Sequence, residues 1–184
     1  MREELDKLLC KKYPKMMVNR HASVQETAMC WGFSCGDGWY NILNALMGNI
    51  QHHIDWKEKQ RNWAITFNST ASPEDMRPVP ESIPQVTLDQ VKEKFGTLRF
   101  YYTGGDDYIR GLVSMAESMS AVTCEECGNP GKQTHGGWIK TTCTPCEDKR
   151  AAEYARQTAE YERKKETKNG ISYQFIGEDT GDHD

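Results

Sequence analysis

Two Cys-x-x-Cys pairs lie in the C-terminal half of the sequence, with fifteen residues between them. Four thiols at this spacing are typical of a zinc ribbon, in which each pair holds one ion from a tight turn. The predicted ligands are Cys124, Cys127, Cys143 and Cys146. A redox dithiol or unrelated free thiols are the alternatives, and the presence of two correctly spaced pairs disfavours both. We therefore assign residues 123–147 to a zinc ribbon.

The predicted zinc site is structural rather than catalytic. Four thiolates fill a tetrahedral shell, whereas catalytic zinc keeps one position open for water or substrate. A zinc deaminase needs a His-x-Glu motif, which this chain lacks, and His135 alone does not provide the histidines of an HNH-type nuclease. The chain also has no Walker loop and no His-Glu-x-x-His motif. We therefore predict no catalytic residue.

Length and charge narrow the class of protein. A chain of 184 residues suits one domain, or one domain with an appended module. Its net charge of -4 argues against the basic surface that sequence-independent nucleic-acid binding needs. No secretory leader is visible, and no apolar run approaches the roughly 20 residues that span a bilayer. The cysteines number seven, and four of them have metal spacing, so we expect a protein of the reducing cytoplasm with no membrane partner.

Hydrophobic periodicity predicts an α+β fold in which helices pack on a small antiparallel sheet. Apolar spacing predicts helices over residues 2–12, 39–58 and 106–120, and alternation predicts a β-hairpin within residues 86–105. Asp37 is the predicted N-cap of the second helix. Either Asp106 or Asp107 is the predicted N-cap of the third helix. The proline-rich residues 68–85 are predicted to be a surface loop.

The C-terminal part is predicted to be a charged helix followed by an acidic tail with one short strand, ISYQFI. The complete predicted organisation is an N-terminal segment (1–34), an α+β core (35–122), the ribbon (123–147), the charged helix (148–168) and the tail (169–184).

The hairpin mixes basic and aromatic side chains. Such a strand can neutralise phosphates and stack on bases, although a half-buried hairpin with a charged outer face explains the pattern equally well. The candidate binding face comprises Lys92, Lys94, Arg99, Tyr101 and Asp106.

Other residues are weaker candidates for metal ligands. His52 and Asp55 are helical neighbours that could approach one metal, and Cys30 and Cys35 could form a second site with His21. In both cases the alternative is an ordinary structural role, such as a buried thiol. The adjacent carboxylates of residues 106–107 could coordinate Mg²⁺, although helix capping is the simpler interpretation.

Four motifs occur together in a fixed order: CGDGW at 35–39, VKEKFGTLRFYYTGGD at 91–106, CEECGNPG from 124 and GWIKTTCTPC ending at 146. As a set they resemble an uncharacterised family of small proteins common in bacteriophages and prophages. The resemblance covers roughly residues 35–146, and Thr142 departs from the leucine that commonly precedes the third cysteine. It implies a phage origin and a host-cell context, but no activity.

These observations favour a protein that binds a partner over an enzyme. The leading hypothesis is a phage-type accessory protein, with a structural zinc ribbon, that binds and inhibits a host protein or protein complex such as a defence system. A second hypothesis is a nucleic-acid-binding zinc-ribbon protein. A third is a nucleotide-binding protein or enzyme using the groove beside the hairpin, which copurification of a small molecule or a deep polar pocket lined by Arg99 and Asp106 would favour.

Overall fold

The computed structural model describes residues 1–134 and 137–176, and only the backbone for residues 168–176. The described residues form an α+β protein, as predicted, and the chain divides into two compact units, Met1–Cys143 and Thr144–Asp184. The elements of the first unit are α1 (Glu3–Lys12), β1 (Phe33–Ser34), α2 (Tyr40–Asn68), β2 (Thr87–Lys94), β3 (Thr97–Thr103), α3 (Asp107–Ser120), β4 (Lys132–Gln133) and β5 (Thr141–Thr142). In the second unit, α4 runs from Thr144 to Ile176.

The central sheet has the order β1-β2-β3. Strands β2 and β3 form the predicted antiparallel hairpin, with Val91 opposite Phe100. Strand β1 pairs in parallel with β2, which the sequence did not predict, so the sheet is mixed. Leu98 and Phe100 are buried on one face while Tyr101 is exposed on the other, which confirms the predicted alternation.

Helices α2 and α3 enclose the inner face of the sheet. Their buried residues join the strands and the N-terminal segment in one hydrophobic core: Leu9, Met16, Met29, Trp39, Leu43, Met47, Ile50, Val91, Leu98, Ile109 and Val113 are among its members. Side chains of α3 also cover the edge of β3, because Ser120 Oγ accepts a hydrogen bond from Leu98 N (2.8 Å) and Glu117 Oε1 accepts one from Phe100 N (3.1 Å). An edge strand protected in this way has fewer free N–H groups for pairing with another chain.

Asp6 organises the N-terminal segment. This buried carboxylate forms an ion pair with Arg20 at 3.2 Å, and it accepts hydrogen bonds from Phe33 N and the Cys10 thiol. A buried charge is stable only when it is paired and hydrogen-bonded. One side chain therefore connects α1, the turns that follow it and β1.

Three predictions about helix ends and the tail are wrong. Helix α2 extends ten residues beyond residue 58, because Ala64 is buried and Arg61 donates a hydrogen bond to the Pro80 carbonyl. Asp37 does not cap α2; it accepts a hydrogen bond from the backbone N–H of Arg2 and pairs with its guanidinium. Residues 171–176 continue α4 instead of forming a strand, while residues 177–184 lie outside the described part of the chain.

The remaining predicted elements are confirmed. Asp106 is the N-cap of α3, since its Oδ1 accepts a hydrogen bond from Ile109 N at 3.0 Å. Residues 69–86 contain one short 3-10 turn, Pro73–Asp75, and otherwise irregular backbone. The side chains of residues 151–167 on α4 are all exposed, and the predicted Glu160–Lys164 pair is present at 2.8 Å.

Candidate metal centre and binding surfaces

The four predicted ligands come together. The Sγ atoms of Cys124, Cys127, Cys143 and Cys146 all lie within 4.8 Å of one another, and those of Cys127 and Cys143 are 3.5 Å apart. A tetrahedral zinc ion with bonds of about 2.3 Å would separate its sulfur ligands by about 3.8 Å. The donor set and its spacing therefore fit one metal ion such as zinc.

The chain folds locally to present these thiols. Gly128 has a φ of +79°, which favours glycine, and its N–H closes the turn on the Cys124 carbonyl at 2.9 Å. Strands β4 and β5 pair with Lys132 opposite Thr142, which brings Cys143 back toward the first pair. Cys146 follows one helical turn later, at the start of α4.

The surroundings of Cys124 favour the ionised thiol. Burial raises its pKa, but the backbone N–H groups of Cys127, Cys143 and Glu126 more than compensate and lower the pKa to about 6. The thiolate is the form that binds a metal. This thiol is therefore prepared for coordination at neutral pH.

The CGDGW motif is the contact surface for the first Cys-x-x-Cys pair. Gly38 N donates a hydrogen bond to the Glu125 carbonyl (2.8 Å), Gly36 N donates to Glu125 Oε1 (2.9 Å), and the buried Trp39 donates from Nε1 to the Thr123 carbonyl (2.9 Å). A Cβ at Gly38 would lie 2.2 Å from the Cys124 carbonyl oxygen. Two motifs that are distant in sequence therefore form one structure.

The hairpin turn contacts the other side of the ribbon. Thr141 Oγ1 donates a hydrogen bond to the Gly96 carbonyl at 2.5 Å, and Gln133 Nε2 donates to the Phe95 carbonyl at 3.3 Å. The Glu125 N–H donates to the Thr141 carbonyl at 2.9 Å. The ribbon residues up to Cys143 thus belong to the same compact unit as the sheet.

Four of the five residues of the candidate binding face lie together. The register places Lys92 opposite Arg99, and alternation adds Lys94 and Tyr101 to the same outer face of the sheet. Asp106 is not on this face, because its carboxylate caps α3 and contacts His53 Nε2 of α2 at 2.9 Å. Burial raises the pKa of Asp106, but the His53 and Ile109 hydrogen bonds lower it below its usual value overall.

The weaker metal candidates have other partners. Asp55 pairs with Lys15 at 3.0 Å, and the Cys30 thiol donates to the Thr27 carbonyl. Burial raises the pKa of Cys35 to about 12, which disfavours metal binding. In the part of the chain that the structure describes, the four ribbon cysteines form the one group arranged for a metal.

Sequence reasoning missed a second surface, on the C-terminal half of α2. Trp56 and Trp63 are one heptad apart on this helix and about half exposed. The Arg77 guanidinium lies 4.6 Å from the Trp63 ring centroid and 4.5 Å from that of Phe67. The seven-residue spacing of the tryptophans indicates this surface only if the helix continues past residue 58, where the apolar periodicity predicts its end. We name Trp56, Trp63, Phe67 and Arg77 the arm surface.

No family model, curated protein or solved structure matches this chain. Among the described residues, no helix is both long enough and apolar enough to cross a membrane.

Proposed function

We propose that this chain is a phage-type accessory protein that binds a host protein through the arm surface, with a structural zinc ion in the ribbon. The proposal of a phage origin rests on the four motifs that resemble the phage and prophage family. The zinc proposal rests on the closed set of four thiols, which leaves no coordination position for catalysis.

The observation that supports binding is the stacking of Arg77 on two aromatic rings. Its guanidinium contacts Trp63 and Phe67, and no carboxylate of the described residues pairs with it. The Asn68 side chain fixes its backbone with hydrogen bonds to Arg77 N (2.9 Å) and the Arg77 carbonyl (2.8 Å). An arginine held in this way loses little entropy when its free N–H groups bind a carboxylate.

The composition of the arm surface is that of a protein-binding hot spot. Tryptophan and arginine are the residues most often found at the energetic centre of protein interfaces. The core cluster includes no α2 residue beyond Ile54, so Trp56 and Trp63 lie outside the hydrophobic core. The partner that fits this surface is a protein segment with a carboxylate beside an apolar side chain.

A comparative pull-down from infected host cells tests this function. Three tagged baits would be used: the wild type, a Trp63→Ala/Arg77→Ala variant and a Trp31→Ala control. Trp31 is a suitable control because it is also exposed (73%) but lies outside the arm surface. We expect one host protein that is enriched by the wild type and the control but lost with the double variant. Binding of that purified protein would then be measured directly, and an affinity unchanged by the double substitution would refute the proposal.

A polar pocket lined by Arg99 and Asp106 would favour the third hypothesis, a nucleotide-binding protein or enzyme. The structure places Arg99 on the outer face of the sheet and Asp106 against α2, so it lends that hypothesis no support.

A further inference from the structure

The outer face of the hairpin concentrates positive charge. Lys92 and Arg99 are directly opposite each other in the β2–β3 register, and Lys94 follows two residues along β2. Like charges in opposite positions of a sheet destabilise it. A carboxylate in either position would replace this repulsion with attraction, so the observed pair of cations lowers the stability of the sheet.

No carboxylate of the described residues neutralises these three cations. The Arg99 guanidinium donates to neutral acceptors, Thr97 Oγ1 at 2.6 Å and the Leu98 carbonyl at 2.7 Å. Lys92 Nζ lies 5.4 Å from the Tyr101 ring centroid, and Lys94 Nζ lies 5.6 Å from that of Phe95. A local conflict of this kind, without a structural benefit, is typical of a functional surface.

Aromatic rings accompany the cations along the same hairpin. Phe95 is 66% exposed and Tyr101 is 40% exposed. Phe95 also has a φ of +52°, in the left-handed region that a bulky residue seldom occupies. Strain of this type is found at functional sites, and here it holds an apolar ring in solvent at the turn.

The ribbon adds to this surface beside the turn. The hydrogen bonds from Gln133 and Thr141 to the turn place the β4–β5 hairpin against Phe95 and Gly96. That hairpin brings two further lysines, Lys132 and Lys140, and its connection contains Trp138, which is 76% exposed. Two more lysines and another exposed ring therefore belong to the element that contacts the hairpin turn.

The net charge of the chain does not oppose this arrangement. Residues 144–184 contain ten acidic and seven basic residues, so three of the four net negative charges lie outside the first unit. The charge relevant to binding is that of the local surface.

We propose that the face formed by Lys92, Lys94, Phe95, Arg99 and Tyr101 binds single-stranded nucleic acid. Lysine and arginine neutralise phosphates, and the exposed rings stack on bases, which is the combination that single-strand-binding proteins use. Alternate residues of a strand are about 6.8 Å apart, a spacing that an extended polynucleotide can follow. An acidic protein segment could neutralise the cations, whereas a polynucleotide offers each exposed ring a planar base as well as the phosphates. This function is independent of the arm surface.

Fluorescence anisotropy of the zinc-loaded full chain with labelled oligothymidine and oligouridine tests the proposal. Probes of about 20 nucleotides exceed the usual site size of about 4–16 nucleotides. We expect the wild-type protein to bind these probes with an affinity that falls as salt is added. The Lys92→Gln/Arg99→Gln variant should bind at least tenfold more weakly. Its slope of log K against log[salt] should be smaller by about 1.4, or about 0.7 for each lost phosphate contact. Phe95→Asn, which tolerates the same backbone conformation, should weaken binding without changing this slope.

The matched control is Lys11→Gln/Lys59→Gln, which removes two charges from helices instead of the sheet. Urea unfolding and zinc content of each variant would establish that it is folded. No anisotropy change at protein concentrations up to about 100 µM, the weak limit of non-specific binding, would overturn the proposal. Equal weakening by the control, or equally tight binding of polyglutamate, would also overturn it.

Discussion

Substitution of Gly38 by alanine is expected to separate the ribbon from the core. The added Cβ would lie 2.2 Å from the Cys124 carbonyl oxygen and 2.4 Å from Gly128 N. Both are backbone atoms of the first Cys-x-x-Cys turn, so no side-chain rotation can relieve the overlap. The turn must therefore move away from the CGDGW motif.

The cost follows from the contacts that this movement breaks. Three hydrogen bonds of 2.8–2.9 Å hold the turn against Gly36, Gly38 and Trp39. At about 1 kcal/mol net for each bond, Gly38→Ala should lower the free energy of unfolding by about 3 kcal/mol. With a urea slope of about 2 kcal/mol/M, the midpoint of unfolding should fall by about 1.5 M.

Equilibrium urea unfolding followed by tryptophan fluorescence measures this shift, because Trp39 is buried beside the altered contact. Gly38→Ala should also release the bound metal faster. The rate at which the metal transfers to a chelating dye measures this effect. Gly111→Ala in α3 is the control, since its Cβ meets no atom within 4 Å and alanine should stabilise the helix by about 0.5–1 kcal/mol. A Gly38→Ala protein with the wild-type midpoint and release rate would refute the reasoning.

Three further predictions concern the ligands and the buried groups. Cys124→Ser should release the metal and destabilise the protein, because metal binding is part of its folding free energy; unchanged stability in chelator would exclude a structural metal. Asp6→Asn should lower the free energy of unfolding by about 3 kcal/mol by removing the partner of Arg20, whereas Asp107→Asn at an exposed site should leave the urea midpoint unchanged. Burial raises the pKa of Cys35 from its ordinary value of 9.0 to about 12, so only the unfolded thiol ionises above about pH 9 and stability should fall there. The loss of stability between about pH 8 and about pH 10 should be smaller in Cys35→Ala, and an equal loss would contradict this assignment.

Local patterns explain what could be predicted from the sequence. The zinc ligands, the hairpin and the Asp106 cap each depend on residues within a few positions of one another or within one stretch of chain. The predicted alternation of β3 holds because each of its faces has one environment. The spacing of cysteines and the periodicity of apolar residues are sufficient to predict features of this local kind.

Features that depend on distant contacts could not be predicted. Asp37 resembles a helix cap locally, but Arg2 binds its carboxylate. Helix α2 has no buried apolar stripe beyond Ile54, yet it continues to Asn68, where Ala64 is buried and Arg61 donates a hydrogen bond to the Pro80 carbonyl of the loop that follows. The role of Gly38 depends on a backbone 86 or more residues away, for which a glycine in a turn gives no indication.

The contact between the CGDGW motif and the first Cys-x-x-Cys pair also affects the order of folding. Gly36 and Glu125 are 89 residues apart in sequence, so during synthesis the motif is made long before its partner. Contacts this distant form slowly, whereas the four cysteines lie in one short stretch that can capture a metal as soon as it is made. Until then the Trp39 indole N–H lacks the Thr123 carbonyl that accepts its hydrogen bond in the folded protein. We expect a shortage of metal during translation to leave nascent chains with an open core and a greater tendency to aggregate.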